Sequence, residues 1–191
     1  MASMKEFSKP VIVVSKCIEF GSVRWNSEVV SSDFVKRLKH CVTFIPVCPE
    51  VEIGLGVPRN PLRIISSEEK LKLIQLDTAT DLTEKMLKFA ESFLSSLPQL
   101  DGFILKSSSP SCALRDAKIY ATYHEPAPTA RGSGFFAKMV LQKYPRVTAE
   151  DEVHLTDPRT AEHFLERVFA AARLRQVKAL RTAKPKVKLK S

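Results

Sequence analysis

Three short apolar runs rich in β-branched residues, Val11–Ser15, Thr43–Val47 and Gly102–Leu105, stand out along the chain. Each has the length and unbroken hydrophobicity of a strand buried on both faces. Segments with helical periodicity lie between them. Residues 32–40 place Phe34, Val35 and Leu38 on one side. Residues 81–97 do the same with Met86, Leu87, Ala90, Phe93 and Leu94, starting at Thr80 or Asp81 and stopping before Pro98. Strands alternating with helices indicate crossover connections and hence a parallel sheet. The expected fold is therefore α/β, a single domain with a mainly parallel, Rossmann-like sheet flanked by helices.

The rest of the pattern is less regular. Residues 62–65 and 72–76 read as a strand pair turning at 66–70, and residues 118–123 read as a further strand. Residues 124–134 form a loop punctuated by Pro126, Pro128, Gly132 and Gly134, followed by a short helix at 135–142. Thr156 or Asp157 opens the last helix, with Pro158 in its favoured first-turn position, and Phe164, Leu165, Val168 and Phe169 mark its apolar side toward Leu180. No repeat or Gly/Ser linker divides the chain. The expected layout is a flexible N-terminus at 1–8, the α/β domain at 9–182 and a basic flexible tail at 183–191.

Composition supports one packed core: the chain has 191 residues, 44% of them hydrophobic and 27% charged. No apolar run approaches the roughly 18 residues of a membrane span. The start carries no signal-peptide pattern, so the cytoplasm is the expected compartment. The net charge of +9 is a property of the tail. Arg167, Arg173, Arg175, Lys178, Arg181, Lys184, Lys186, Lys188 and Lys190 follow Glu166 with no acidic residue among them. Such an arm either contacts RNA through counterion release or merely solubilises the chain.

The cysteines carry the most chemical information. Cys17 and Cys112 follow the first and third apolar runs, and Cys48 directly ends the second. In a parallel sheet the carboxyl ends of the strands are where ligands bind, so these three thiols are candidates for one shared site. Cys41 precedes its strand and falls at the opposite edge. Three thiols without C-x-x-C pairing do not make an ordinary structural zinc site. An iron–sulfur cluster with one iron open, inert buried thiols, thiol chemistry and another metal all remain compatible with the spacing.

Polar residues accompany each thiol. Glu50 lies two positions after Cys48, and the segment from Glu52 through Gly54 and Gly56 ends in Arg59, a planar fork for an anion or carbonyl. Lys106 and four serines, Ser107, Ser108, Ser109 and Ser111, precede Cys112. Arg24 adjoins Trp25, whose ring either stacks on a base or packs in the core. His40, His124, His154 and His163 show neither hydrolase pairing nor metal-ligand spacing.

The strings Lys-Pro-Val-Ile-Val-Val-Ser-Lys-Cys17, Val-Arg-Trp-Asn26, Phe-Ile-Pro-Val-Cys-Pro-Glu50 with its extension to Arg59, Asp-Leu-Thr83 and Gly-Phe-Ile-Leu-Lys-Ser-Ser-Ser-Pro-Ser-Cys112 together resemble the thiouracil desulfidase family. The resemblance runs from about Lys9 to Arg175. It implies a [4Fe-4S] cluster held by Cys17, Cys48 and Cys112, with one iron not bound by protein and left for the sulfur of a thiolated pyrimidine. It further implies Glu50 as the acid/base carboxylate and Ser109 as a catalytic hydroxyl, with Arg24, Arg59, Lys106 and Ser111 as candidate substrate contacts.

Two departures accompany the match. Ala113 stands where the family usually has Gly, and Ser27 stands where Gly often follows the Arg-Trp-Asn string. Residues 81–97 and the closing string from His163 to Phe169 are closer to the long branch of the family, which is linked to thiolated uridines in tRNA and has a further C-terminal domain. Here the basic tail is expected to stand in that domain's place. The implied partners are thus a thiolated base or nucleotide, with tRNA reached through the tail and no membrane. The alternative function is a non-catalytic, metal-stabilised RNA-binding module.

Overall fold

The computed structural model describes residues 8–67, 70–122 and 124–183. The tail beyond Ala183 and the N-terminus before Ser8 lie outside them. The chain builds two sheets. The first is a four-stranded, fully parallel sheet in the order β2-β1-β6-β9, made of β1 (Val11–Ser15), β2 (Thr43–Val47), β6 (Gly102–Leu105) and β9 (Thr148–Asp151). Ile12, Val13 and Val14 of β1 and Phe103, Ile104 and Leu105 of β6 are wholly buried, as central strands covered on both faces must be. Pro46 has no N–H for a ladder, and it lies on β2, an edge strand.

Helices and a second sheet cover the two faces. Ile12, Val14 and Ile104 pack on Phe34, Val35 and Leu38 of α1 (Asp33–Leu38) and on Phe164 and Val168 of α5 (Pro158–Ala183). Gly102 permits this close approach, since a Cβ there would stand 2.8 Å from Val168 Cγ1. Val13, Phe103 and Leu105 face α3 (Thr83–Ser96), α4 (Phe135–Lys143) and the second sheet. Side chains cap α1 and α5, whereas α3, expected to open at Thr80 or Asp81, starts at Thr83 with Leu82 at its cap. The Ser32 side chain accepts from Val35 N–H, and Asp157 accepts from Thr160 N–H beside Pro158.

The second sheet is where the structure exceeds the sequence reading. It has the order β5-β4-β3-β7-β8 and comprises β3 (Leu62–Ser67), β4 (Lys70–Gln75), β5 (Thr80–Asp81), β7 (Ala117–Tyr120) and β8 (Ala130–Gly132). Only the β3–β7 pair is parallel. The strand expected at 118–123 ends at Tyr120, and the strand pair extends closer to its turn than expected. Strand β8 lies inside the stretch expected as a loop, and β9 of the first sheet falls where the sequence pattern indicates no element, while Thr80 and Asp81 pair with β4 before the helix begins. Both sheets aim strand ends at one cleft. Among the described residues, no helix is long and apolar enough to cross a membrane.

Candidate functional site

The cleft has a volume of about 490 Å³ and is walled by the carboxyl ends of β1, β2 and β6. Cys17, Cys48 and Cys112 all line it, all are free thiols, and all are buried. Cys41 is exposed after α1 and stands outside the cleft, as its place in the sequence predicts. Burial pushes Cys17 up to about 12, with the neighbouring Cys48 adding to the rise and Lys106 opposing it. Burial likewise raises Cys48, against the amides of Val51 and Glu50 that favour its thiolate. Cys112 is raised well above the ordinary thiol range by burial, with both other cysteines contributing. Without a cation these thiols therefore hold their protons.

Each thiol is set by its local backbone. Cys17 follows β1 at the start of a turn in which Ile18 N–H bonds to Ser15 carbonyl. Cys48 caps α2 (Pro49–Glu52), whose first residue Pro49 needs no donor, and its sulfur lies 3.6 Å from the Val23 carbonyl oxygen. Cys112 sits in a loop fixed by Ser109, whose Oγ accepts from the N–H groups of Ser111 and Cys112 at 3.2 and 3.0 Å. Gly134 lies against this loop so closely that a Cβ would be 2.5 Å from the Ser111 carbonyl carbon. Only glycine allows that contact. Ser108, at φ +56°, is held by Asp116, which accepts from its N–H and its hydroxyl.

Glu50 is the buried acid of the cleft. Its Oε1 accepts from the Ser111 hydroxyl at 2.9 Å, and its Oε2 accepts from Arg59 Nε at 2.8 Å. Arg59 also donates to the Val23 carbonyl at 2.9 Å and approaches Cys48 Sγ at 4.0 Å. Arg59 lines the cleft with its fork engaged by Glu50 and the Val23 backbone. Arg24 lines the cleft while paired with Glu28, and the Trp25 ring beside it is 47% exposed, a mouth residue rather than a core one. Lys106 and Ser109 line the cleft as well, whereas Ser111 is fully buried behind it, touching Glu50.

The chemistry of the donor set fits soft metal centres, an iron–sulfur cluster among them. Three buried sulfurs with mutual electrostatic coupling suit iron or another soft cation. Among the described residues, three or more ligand atoms within 4.8 Å of one another occur at Glu150, Asp151 and His154, not at the thiols. The three thiol sulfurs do not all lie within 4.8 Å of one another. Glu150, Asp151 and His154 have a structural explanation of their own. Asp151 accepts from the N–H groups of Val153 and His154 and pairs with the His154 ring, closing the turn before α5.

The comparisons with known proteins agree with this arrangement. The sequence profile of the 2-thiouracil desulfurase family matches residues 12–152, a stretch that includes every cleft cysteine. The chain belongs to that family. Its relatives include the uncharacterized protein YbbK of Bacillus subtilis (strain 168), 30% identical over 152 residues that span 75% of this chain and 98% of that protein. Among solved structures it is similar to the [4Fe-4S]-dependent thiouracil desulfidase TudS, with a TM-score of 0.62 and 26% identity over 81% of this chain and 99% of that one.

Both family departures find their explanation in the backbone. Ser27 keeps a left-handed φ of +61°, the conformation a glycine would supply freely. Ala113 is buried and is not among the positive-φ residues, so the methyl group is accommodated without strain. Sequence reading missed two buried polar residues near the cleft. Ser15 ends β1 and accepts from Lys106 N–H at 3.0 Å while its side chain bonds to Cys112. Glu152 is buried although it belongs to the acidic run Glu150-Asp151-Glu152, which on sequence alone resembles solvated surface.

Proposed function

We propose that this protein is a [4Fe-4S]-dependent, non-redox desulfidase that converts a thiolated pyrimidine and water into the oxygen-containing base and hydrogen sulfide. The observation that carries this reading is the meeting of three buried thiols and an oriented carboxylate in one cleft. In it, Cys17, Cys48 and Cys112 hold the cluster and leave one iron without a protein ligand. When bound, the cluster supplies a Lewis acid that polarises the C–S bond.

The chain's own residues do the rest. Glu50 takes a proton from the attacking water as general base. Arg59 and Ser111 each hold one of its oxygens, so the carboxylate keeps one orientation. Ser109 spends its acceptor capacity on two backbone amides and still has a hydroxyl proton to direct toward the substrate. Lys16, Arg24 and Lys118 at the cleft favour a phosphate-bearing thiouridine over a neutral base, with tRNA within this class. The reduced thiols are consistent with a cytoplasmic setting.

The test is anaerobic purification with iron and sulfide determination, followed by sulfide release from 4-thiouracil, 4-thiouridine monophosphate and thiolated RNA. A visible iron–sulfur spectrum with sulfide release from any of these supports the proposal. A loaded protein that binds RNA without releasing sulfide indicates the non-catalytic module instead. A protein that takes up no iron overturns the cluster assignment.

A further inference from the structure

Glu152 stands directly after β9, with its side chain 6% exposed. Its carboxylate is taken up entirely by the chain leaving β6. Oε2 accepts from Ser107 N–H at 2.9 Å, and Oε1 accepts from the Ser107 hydroxyl at 2.7 Å and from Lys106 Nζ at 2.5 Å. Lys106 Nζ gives its two remaining protons to the carbonyl and hydroxyl oxygens of Ser107, at 3.0 and 2.9 Å. All three ammonium protons are thus engaged, and the cation is fixed in place rather than free to follow a ligand.

Two parts of the site depend on this knot. The chain leaves it toward Ser109, Ser111 and Cys112, and Ser15 anchors the same point from β1 through Lys106 N–H. Lys106 and Cys17 line the same cleft, where the ammonium and the Glu152 carboxylate bonded to it act on Cys17 in opposite directions. Stability alone gives little reason for a buried ion pair here, because a well-packed apolar pair is often as stable.

We propose that Glu152 is a positioning residue of the site: through Lys106 and Ser107 it fixes the course of loop 107–112 and sets how much positive charge stands beside Cys17. This rests on the reading that Cys17, Cys48 and Cys112 hold the cluster. Glu152→Gln preserves shape but leaves the ammonium uncompensated, so the cluster's midpoint potential rises. Lys106→Met removes the cation and lowers the potential. The double variant returns toward the wild-type value.

The experiment is an anaerobic potentiometric titration of the reconstituted full-length protein and the three variants, with iron content and circular dichroism measured alongside. Turnover of Glu152→Gln should fall about 10- to 100-fold in kcat with KM little changed, the usual scale for residues that orient a metal site's ligands. Should Glu152→Gln fail to fold, Lys106→Met and the double variant carry the comparison, with the double lying above the single. Shifts of the same sign, or no shift, in loaded variants overturn the inference and leave the desulfidase reading intact. A wild-type protein that takes up no iron overturns both.

Discussion

The Ser111 hydroxyl donates to Glu50 Oε1 at 2.9 Å, joining the loop after β6 to the short helix after β2. Ser111 is fully buried and Glu50 nearly so. The bond therefore fixes one carboxylate oxygen while Arg59 fixes the other. Ser111→Ala should lower turnover about 10- to 100-fold with iron content unchanged. It should also cost about 1–3 kcal/mol of stability, because a buried acceptor loses its partner. Sulfide-release kinetics and urea unfolding of the same preparation measure the two effects.

Glu50 itself touches a ligand-bearing segment without being one of the thiols. Glu50→Gln should retain the visible cluster spectrum and substrate binding yet lose a factor of about 100 or more in turnover, the scale of a lost general base. Ser109→Ala should behave similarly. Undiminished turnover in a fully loaded Glu50→Gln protein would sink the mechanism.

The thiols differ by position, and so should their variants. Replacing Cys17, Cys48 or Cys112 by Ser should abolish or severely reduce iron uptake after anaerobic reconstitution, whereas the exposed Cys41→Ser should load normally. Equal loss across all four would refute the assignment.

Much of this was legible in the sequence. The apolar runs at Val11–Ser15, Thr43–Val47 and Gly102–Leu105 are the strands seen; β1 and β6 are buried on both faces as expected, which explains their uninterrupted hydrophobic signature, whereas β2 lies at the sheet edge and is mostly exposed or half-buried. Their carboxyl ends located three thiols at one cleft and excluded Cys41. What stayed hidden was polar. Strand β9 reads Thr-Ala-Glu-Asp and is held by pairing with β6 rather than by its own hydrophobicity. Ser111 and Glu152 acquire meaning only through partners distant in the chain, which no local pattern reveals.

Gly134 tests how closely the cleft loop is packed. Gly134→Ala would put a Cβ within 2.8 Å of Pro110 and Ser111 backbone atoms, so the loop must shift. The expected cost is about 1–3 kcal/mol, as for other overpacked sites. Cluster occupancy should fall along with stability. Chemical denaturation and iron analysis would detect both, and an unchanged loop would show in unaltered values of each.

The metal-free protein should show a pH dependence of its own. The Cys17 thiol has an ordinary value of 9.0 and is pushed up to about 12 by burial, so above pH 9.0 the unfolded chain binds fewer protons than the folded one. Stability should accordingly be full below pH 9.0 and be lost progressively between 9.0 and about 12. Thermal melts of metal-free protein across this range, compared with a Cys17→Ala variant, measure the contribution.

Adjacent parallel strands deliver Cys17, Cys48 and Cys112, so the cysteines become neighbours only once β2, β1 and β6 are zipped together. Zinc fingers show the reverse order, their ions organising chains that are otherwise unfolded. Here the hydrophobic sheet does the organising, and on the proposed reading a cluster would enter a cup that the strands have already shaped. On that reading iron supply would govern activity separately from folding.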